Sequence, residues 1–277
     1  MNDAWLPATP TQNENRDSPV KEEFAFVVRG AVRRTPAHLT DRTCISPNRG
    51  WNPCLSAYTR GMDIPATRAS FSTNQHRVYD ALAPVYRELH ERFLRMSGGE
   101  AQSALIGALT PMLVPGLRVL DAGCGDGALS QHLLSVEPNL DLAMVDASAR
   151  MLALCEEIPA RRIHGSVGSL PFRDESFDVV VAAWLIETTA EPRRAIRELV
   201  RCVKPRGWVF LTFCADRDDV DAIDKLVALA LKWRGTGRLL DPACVEEWLN
   251  EAGATTIRRI PCRGPTVAIV AGKDCIS

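Results

Sequence analysis

From residue 117 onward, short apolar runs alternate with segments whose apolar positions recur every three or four residues. Leu117 to Leu120, Leu140 to Val145, Arg162 to Ser166, Phe177 to Trp184 and Trp208 to Cys214 read as strands. The run FDVVVAAW is apolar at nearly every position, as expected of a strand buried on both faces of a parallel sheet. Between these strands, Leu129 to Val136, Ser148 to Ile158 and Pro192 to Val203 read as amphipathic helices. In the second of them Met151, Leu152, Cys155 and Ile158 share a face. Two further helices follow. One opens on Asp218, Asp219 and Asp221 and closes on Lys232 and Arg234, which suits the helix dipole. The other starts at Asp241-Pro242 and runs to Gly253.

Two strands end the pattern, Thr256 to Ile260 and Thr266 to Ala271, joined by Arg263-Gly264-Pro265 as an antiparallel hairpin. Before residue 117 the pattern is helical. Val78, Leu82, Val85, Leu89 and Phe93 form one stripe, with Pro84 set to kink it. Gly98 and Gly99 are expected to end this helix, and a second spans Ala101 to Leu113. The alternation predicts an α/β fold of seven strands, a mostly parallel sheet with helices on both faces.

Residues 1 to 73 break the pattern. They hold seven prolines and only one compact apolar run, Phe24 to Val28. The segment reads as a disordered or weakly structured extension preceding a domain at 74 to 277. No apolar h-region follows the start, and Asp3, Glu14, Asp17, Glu22 and Glu23 argue against a transit peptide.

Composition narrows the functional classes. The net charge of −1 gives no global field for nucleic acid or an anionic membrane. No apolar run approaches the roughly 18 residues needed to span a bilayer. Nine cysteines without a paired C-x-x-C spacing argue against zinc and for reduced thiols in a cytoplasmic protein.

The candidate chemistry begins at VLDAGCGDG, Val119 to Gly127. A strand ends in Asp121, and glycines follow at 123, 125 and 127 before a helix. Such a loop lets a ligand lie against bare backbone. The dinucleotide fingerprint G-x-G-x-x-G is not met, because the third glycine comes one residue early. Asp121, Asp146, Ser166 and Ala183 all fall at the carboxyl ends of predicted strands, where ligands bind in parallel sheets.

This loop resembles motif I of the class I S-adenosylmethionine (SAM) dependent methyltransferases. RVYDALAPVY, MVDASARML, GSVGSLPFRDESFDVVVAAWLIE and LVRCVKPRGWVFLTF are similar, in order, to that family's later segments. The likeness covers about residues 74 to 273 and lies closest to its ubiquinone- and menaquinone-biosynthesis-like branch, methyltransferase type 11. It implies a Rossmann-like, doubly wound sheet with SAM as cofactor and no metal. By the same resemblance Gly123, Gly125 and Gly127 pass under the methionine moiety, and Asp121 faces its ammonium. Asp146 accepts the ribose hydroxyls, Met151 and Val167 flank the adenine, and the helix bearing Tyr79 and Tyr86 forms a lid. Cys124, Ala147 and Ala183 complete the implied cofactor set. Where relatives carry an acid that receives the adenine amino group, this chain has Ser166.

The acceptor side falls to Trp184-Leu185-Ile186-Glu187-Thr188. Trp184 offers either a π face to the sulfonium or a packing residue. Glu187 offers either a candidate catalytic acid, binding a cationic substrate or taking its proton, or a solvated helix-start residue. The expected reaction is methyl transfer to a small molecule by a monomer or homodimer. The rivals are a non-catalytic SAM-binding regulator and a nucleic-acid or protein methyltransferase. The fourth strand ends AAWLIE and lacks the N/D-P-P-Y/F signature of the nucleic-acid amino enzymes.

Overall fold

The computed structural model describes residues 76–216 and 238–274. Seven strands form one sheet: β1 Arg118–Ala122, β2 Asp141–Asp146, β3 Arg161–His164, β4 Phe177–Ala183, β5 Val203–Cys214, β6 Thr256–Ile260 and β7 Thr266–Gly272. Their order is β3-β2-β1-β4-β5-β7-β6. The first five are parallel, and β7 pairs antiparallel with both β5 and β6. The chain moves outward from β1 to β3, then crosses back to β4 on the other side of β1. The reversal opens a crevice at the carboxyl ends of β1 and β4.

The strand pleat sorts the core into two layers. Leu120, Ala122, Val145, Val180 and Ala182 face one side, under Ile196 and Leu199 of α6 (Pro192–Cys202) and Val245 and Leu249 of α7 (Pro242–Glu251). Val119, Leu142, Met144, Val179 and Val181 face the other, under α3 (Gly99–Leu109) and α4 (Ala128–Val136). The helix starts follow their sequence signals. Pro192 and Pro242 occupy first-turn positions, and the Asp241 carboxylate accepts from the N–H of Ala243 at 2.8 Å.

Upstream of β1 the chain runs as α1 (76–82), a 3-10 turn Ala83–Val85 and α2 (Tyr86–Phe93). Pro84 sits in that turn and divides the two helices as expected. Gly98 and Gly99 do not end α2. A wide π turn, Leu94–Gly98, carries the chain directly into α3. The glycines serve packing instead, since a Cβ at Gly98 would stand 2.5 Å from Cε1 of Phe93. The following helix ends at Leu109, and Thr110–Met112 continue as a 3-10 turn around Pro111.

Three other boundaries move. α5 covers only Ala149–Ala153, while Cys155 and Ile158 are buried in turns beyond it. β3 stops at His164, because the Ser166 hydroxyl accepts from the N–H of Gly168 at 3.2 Å and makes a turn of its own. Lys204 to Gly207, between the expected helix and strand, lie within β5. Val203 already pairs with Phe177, and regular pairing resumes at Trp208 opposite Val179. Arg206 takes φ 63° in this irregular stretch. The predicted helix from Asp218 to Arg234 and the extension at 1 to 73 lie outside the described residues.

Candidate functional site

The loop from β1 to α4 is built on left-handed glycines. Gly123, Gly125 and Gly127 have φ of 71°, 56° and 76°. At Gly127 a Cβ would stand 2.3 Å from Cδ1 of Ile158, and at Gly123 2.5 Å from Cδ1 of Leu185. Both positions therefore need glycine for conformation and for space. The N–H groups of Gly123 and Cys124 donate to the Val145 carbonyl at 2.7 and 3.1 Å, which ties the loop to the end of β2.

Three carboxylates surround this loop. Asp121 is buried, and its Oδ2 accepts from Ser130 Oγ of α4 at 2.6 Å. Burial, together with the charges of Asp146 and Asp126, pushes its pKa up to about 6, against the lowering effect of Ser130. Asp146, at the end of β2, accepts from the N–H of Gly125 at 2.9 Å and from the N–H of Ser148 at 2.8 Å. Burial raises its pKa in spite of those bonds. Asp126 is buried and pairs with Nε of Arg87 at 2.9 Å. Among the described residues the loop thus concentrates more negative charge than Arg87 neutralises, an arrangement that favours a cationic ligand.

Residues upstream of β1 cover the loop. The Tyr86 ring lies against Gly125, with Cε1 3.4 Å from where a Cβ would be. Tyr79 meets Tyr86 edge-on at 6.0 Å, and Tyr86 stacks on His90 at 5.5 Å. Asp80 accepts from Ser148 Oγ at 2.6 Å and from the N–H of Arg150 at 3.3 Å. A cavity of about 490 Å³ lies at the outer edge of this cover, between Pro84, Arg87 and Asp126.

Met151 and Val167 are buried, and Ser166 is exposed with its hydroxyl engaged at Gly168. Ala147 offers its carbonyl to Nε2 of His164 at 3.0 Å. Cys124 and Cys155 are free, buried thiols that both approach the Gly125 carbonyl, at 3.9 and 3.4 Å.

On the acceptor side, Trp184 takes the packing reading. Trp184 does not present its face to the glycine loop. Its Nε1 donates to Oε1 of Gln102 at 2.9 Å, and Phe93 packs edge-on against it at 4.9 Å. The indole belongs to a small cluster with Ala101, Cys262 and Ala268. Trp184 instead contributes geometry, since its φ of 56° turns the chain at the end of β4. That turn aims Leu185 at Gly123 and leads into the 3-10 turn Ile186–Thr188.

Glu187 is not a solvated acid. It is 4% exposed. Its Oε1 accepts from the N–H of Cys214 at 3.2 Å, the Glu187 N–H and the Cys214 thiol also lie at the carboxyl, and its Oε2 is buried without a geometric hydrogen-bond partner among the described residues. Desolvation pushes its pKa up to about 8. The Tyr79 phenol, hydrogen-bonded to the Thr188 side chain, lies within its electrostatic reach. Residues from α1, the turn after β4 and the end of β5 thus converge around one carboxyl group.

The sequence reading did not single out Asp80, Arg87, Asp126 or Ser148. Ser148 had a signal, as a capping residue before a helix; its hydroxyl accepts from the N–H of Met151 at 3.1 Å. The other three touch partners more than thirty residues away, and local pattern carries no such information. Among the described residues no cluster suits a metal ion, and no helix is long and apolar enough to cross a membrane.

Residues 120–211 match the methyltransferase domain family. Over 189 residues the chain is 31% identical to the tRNA (carboxymethyluridine(34)-5-O)-methyltransferase of Arabidopsis thaliana, covering 67% of this chain and 41% of that protein. It is 33% identical over 167 residues to the ubiquinone biosynthesis O-methyltransferase of Paracidovorax citrulli, covering 57% of this chain and 65% of that one. The chain therefore spans less than two thirds of either relative. In fold it is similar to phosphoethanolamine N-methyltransferase 2 of Haemonchus contortus, solved with SAM. That likeness has a TM-score of 0.53 at 17% identity, over 65% of this chain and 54% of the other.

Proposed function

We propose, from the premise that this chain carries a class I SAM-dependent methyltransferase domain of the ubiquinone- and menaquinone-biosynthesis-like branch, that it methylates a small molecule bound between α1, Trp184 to Thr188 and the end of β5. The observation that carries the reading is the surplus of buried acid around the left-handed glycines. SAM is cationic at both its sulfonium and its ammonium group, so it would relieve the repulsion that the protein otherwise bears.

Within this reading Asp121 holds the ammonium and Asp146 turns its carboxylate to the ribose hydroxyls. Gly123, Cys124, Gly125 and Gly127 supply the backbone floor. Met151, Ala147, Ser166 and Val167 enclose the adenine, Ala183 closes the β4 side, and Tyr86 covers the loop. Bound SAM supplies a methyl group already activated by its sulfonium. The protein's task is to position the acceptor and exclude water. The cover residues do the second: Tyr79 and Tyr86 are half-buried, packed against each other, with Tyr86 against Gly125. Glu187 is the polar group left to meet the acceptor.

A nucleic-acid acceptor is a second reading, favoured by the tRNA-modifying relative. The net charge of −1 weighs against it. Calorimetry with SAM, followed by transfer of labelled methyl to a metabolite panel and to bulk tRNA, tests both. Micromolar SAM binding with label on a metabolite is the expected result. Label confined to tRNA would select the second reading, and absence of SAM binding would end both.

A further inference from the structure

We propose that Gln102 of α3 is a positioning residue for the cofactor loop: it clamps the indole of Trp184, holds the chain after β4 in a left-handed turn, and so keeps Leu185 seated behind Gly123. The proposal rests on the reading that SAM lies on this loop, and it adds to that site a residue from outside the implied cofactor set.

Backbone geometry singles out Trp184. Among the described residues, Glu175, Trp184 and Arg206 are the non-glycine positions with positive φ, at 56°, 56° and 63°. Glu175 and Arg206 are exposed, whereas Trp184 is half-buried at the carboxyl end of β4. A bulky side chain in this region is an outlier. It persists only where its surroundings hold it there, and such residues gather at ligand sites.

The contacts of Trp184 show what holds it. Its N–H donates to the Thr212 carbonyl of β5 at 2.9 Å, which fixes the peptide but not the side chain. The indole is fixed separately. Nε1 donates to Gln102 Oε1 at 2.9 Å, and Phe93 meets the ring edge-on at 4.9 Å. Gln102 is 5% exposed and shares the buried face of α3 with Ala101, Leu105 and Leu109. An amide among apolar neighbours is expensive to bury unless it is bonded, and the indole N–H supplies that bond. The start of α3 is anchored in turn, through Thr266 to the Ser97 carbonyl and through the Arg263 N–H to Glu100.

The next residue shows what the turn achieves. Leu185 places Cδ1, Cδ2 and Cγ at 2.5, 3.0 and 3.0 Å from where a Gly123 Cβ would stand. Its side chain fills the space that the glycine leaves, beside the N–H that donates to the Val145 carbonyl. With φ at Trp184 returned to the ordinary negative range, the chain leaves β4 in another direction and Leu185 comes away from Gly123. The loop then loses its backing on the β4 side. Gln102 touches neither SAM nor the acceptor in this scheme; it acts through Trp184 and Leu185.

Two substitutions at one position separate this role from plain packing. W184A and W184G both delete the indole and open the same hole beside Ala101 and Ala268. Only glycine takes the left-handed turn freely once the clamp is gone. W184A and Gln102→Leu should each weaken SAM binding roughly tenfold. W184G should recover most of that loss, to within about threefold of wild type, and adding Q102L to W184G should bring no further loss. Calorimetry reads the affinities, and thermal unfolding shows which variants are folded. Equal losses in W184A and W184G, or wild-type affinity in Q102L, would overturn the proposal. Where the Trp184 variants do not fold, hydrogen exchange of Q102L without ligand decides. The amides of Gly123 and Cys124 should lose protection relative to those of β7, and unchanged loop amides would overturn the clamp. A wild-type protein that fails to bind SAM would instead overturn the cofactor reading, since the exchange of the loop amides is read without it.

Discussion

Asp80 and Ser148 stand 68 residues apart in the chain and 2.6 Å apart in space, joined by a hydroxyl-to-carboxylate hydrogen bond. Ser148 is also the cap of α5, accepting from the N–H of Met151. One serine therefore starts the helix that carries Met151 and anchors the cover over the glycine loop.

Asp80→Ala should release that anchor. The Ser148 hydroxyl and the Arg150 N–H lose a charged acceptor, which is worth about 1.5–3 kcal/mol where the group is shielded. Because Asp80 is only partly buried, the lower end applies. SAM affinity should fall roughly 3- to 10-fold, chiefly through faster release, with little change in melting temperature. Stopped-flow dissociation checks it. An unchanged off-rate would mean that the cover is held elsewhere, at Arg87 and Asp126.

Asp146→Ala should act on both cofactor and loop. The carboxylate holds the N–H groups of Gly125 and Ser148 in addition to its proposed ribose role. SAM binding should weaken by at least 10-fold, about 1.4 kcal/mol. Calorimetry at fixed pH reads the affinity. Wild-type affinity in the mutant would remove Asp146 from the site.

The pH dependence of SAM binding should report Asp121. Only its anionic form holds an ammonium group, and its pKa stands near 6. Affinity is then full above that value and lost as pH falls through it, roughly tenfold between pH 7 and pH 5. Ser130 lowers this pKa through its hydrogen bond, so Ser130→Ala should move the falling limb to higher pH. A limb that stays in place would detach Asp121 from the ammonium.

Gly127→Ala should destabilise the domain by roughly 1–3 kcal/mol. The alanine would meet Cδ1 of Ile158 and Sγ of Cys155 while held at φ 76°. Thermal unfolding should show a drop of several degrees. A melting temperature within a degree of wild type would show that the turns after α5 give way freely.

Much of this architecture was legible in the chain. The buried strands β4 and β5 announced themselves by unbroken apolar runs, and the helix starts at Pro192 and Asp241 by their caps. The glycine loop and the two strand-end acids could be placed before any coordinates were known. The misses share a cause. Gly98 carries the usual sign of a helix end, but here it makes room for Phe93. Ser166 reads as strand, but its hydroxyl closes a turn of its own. For Trp184 the sequence left ligand contact and packing open, and the choice falls to Gln102 and Phe93, both from earlier in the chain. In each case a tertiary neighbour, or a side chain bonding its own backbone, outweighed the local pattern. The unsatisfied oxygen of Glu187 is of the same kind, because a pattern shows where an acid stands but not what fails to reach it.

The region upstream of β1 is also stitched to the last strand and the turn before it. Thr266 Oγ1 donates to the Ser97 carbonyl at 3.2 Å, and the N–H of Arg263 donates to Glu100 at 3.0 Å, across 169 and 163 residues. During synthesis α3 emerges from the ribosome long before the strand that seats it. The nascent chain can pair β1 with β2, but it cannot fix the wall behind Trp184 until β7 has been translated and inserted between β5 and β6. The seating of α3 against β7 thus comes later in synthesis than the glycine loop, whose hydrogen-bond contacts lie between β1 and β2.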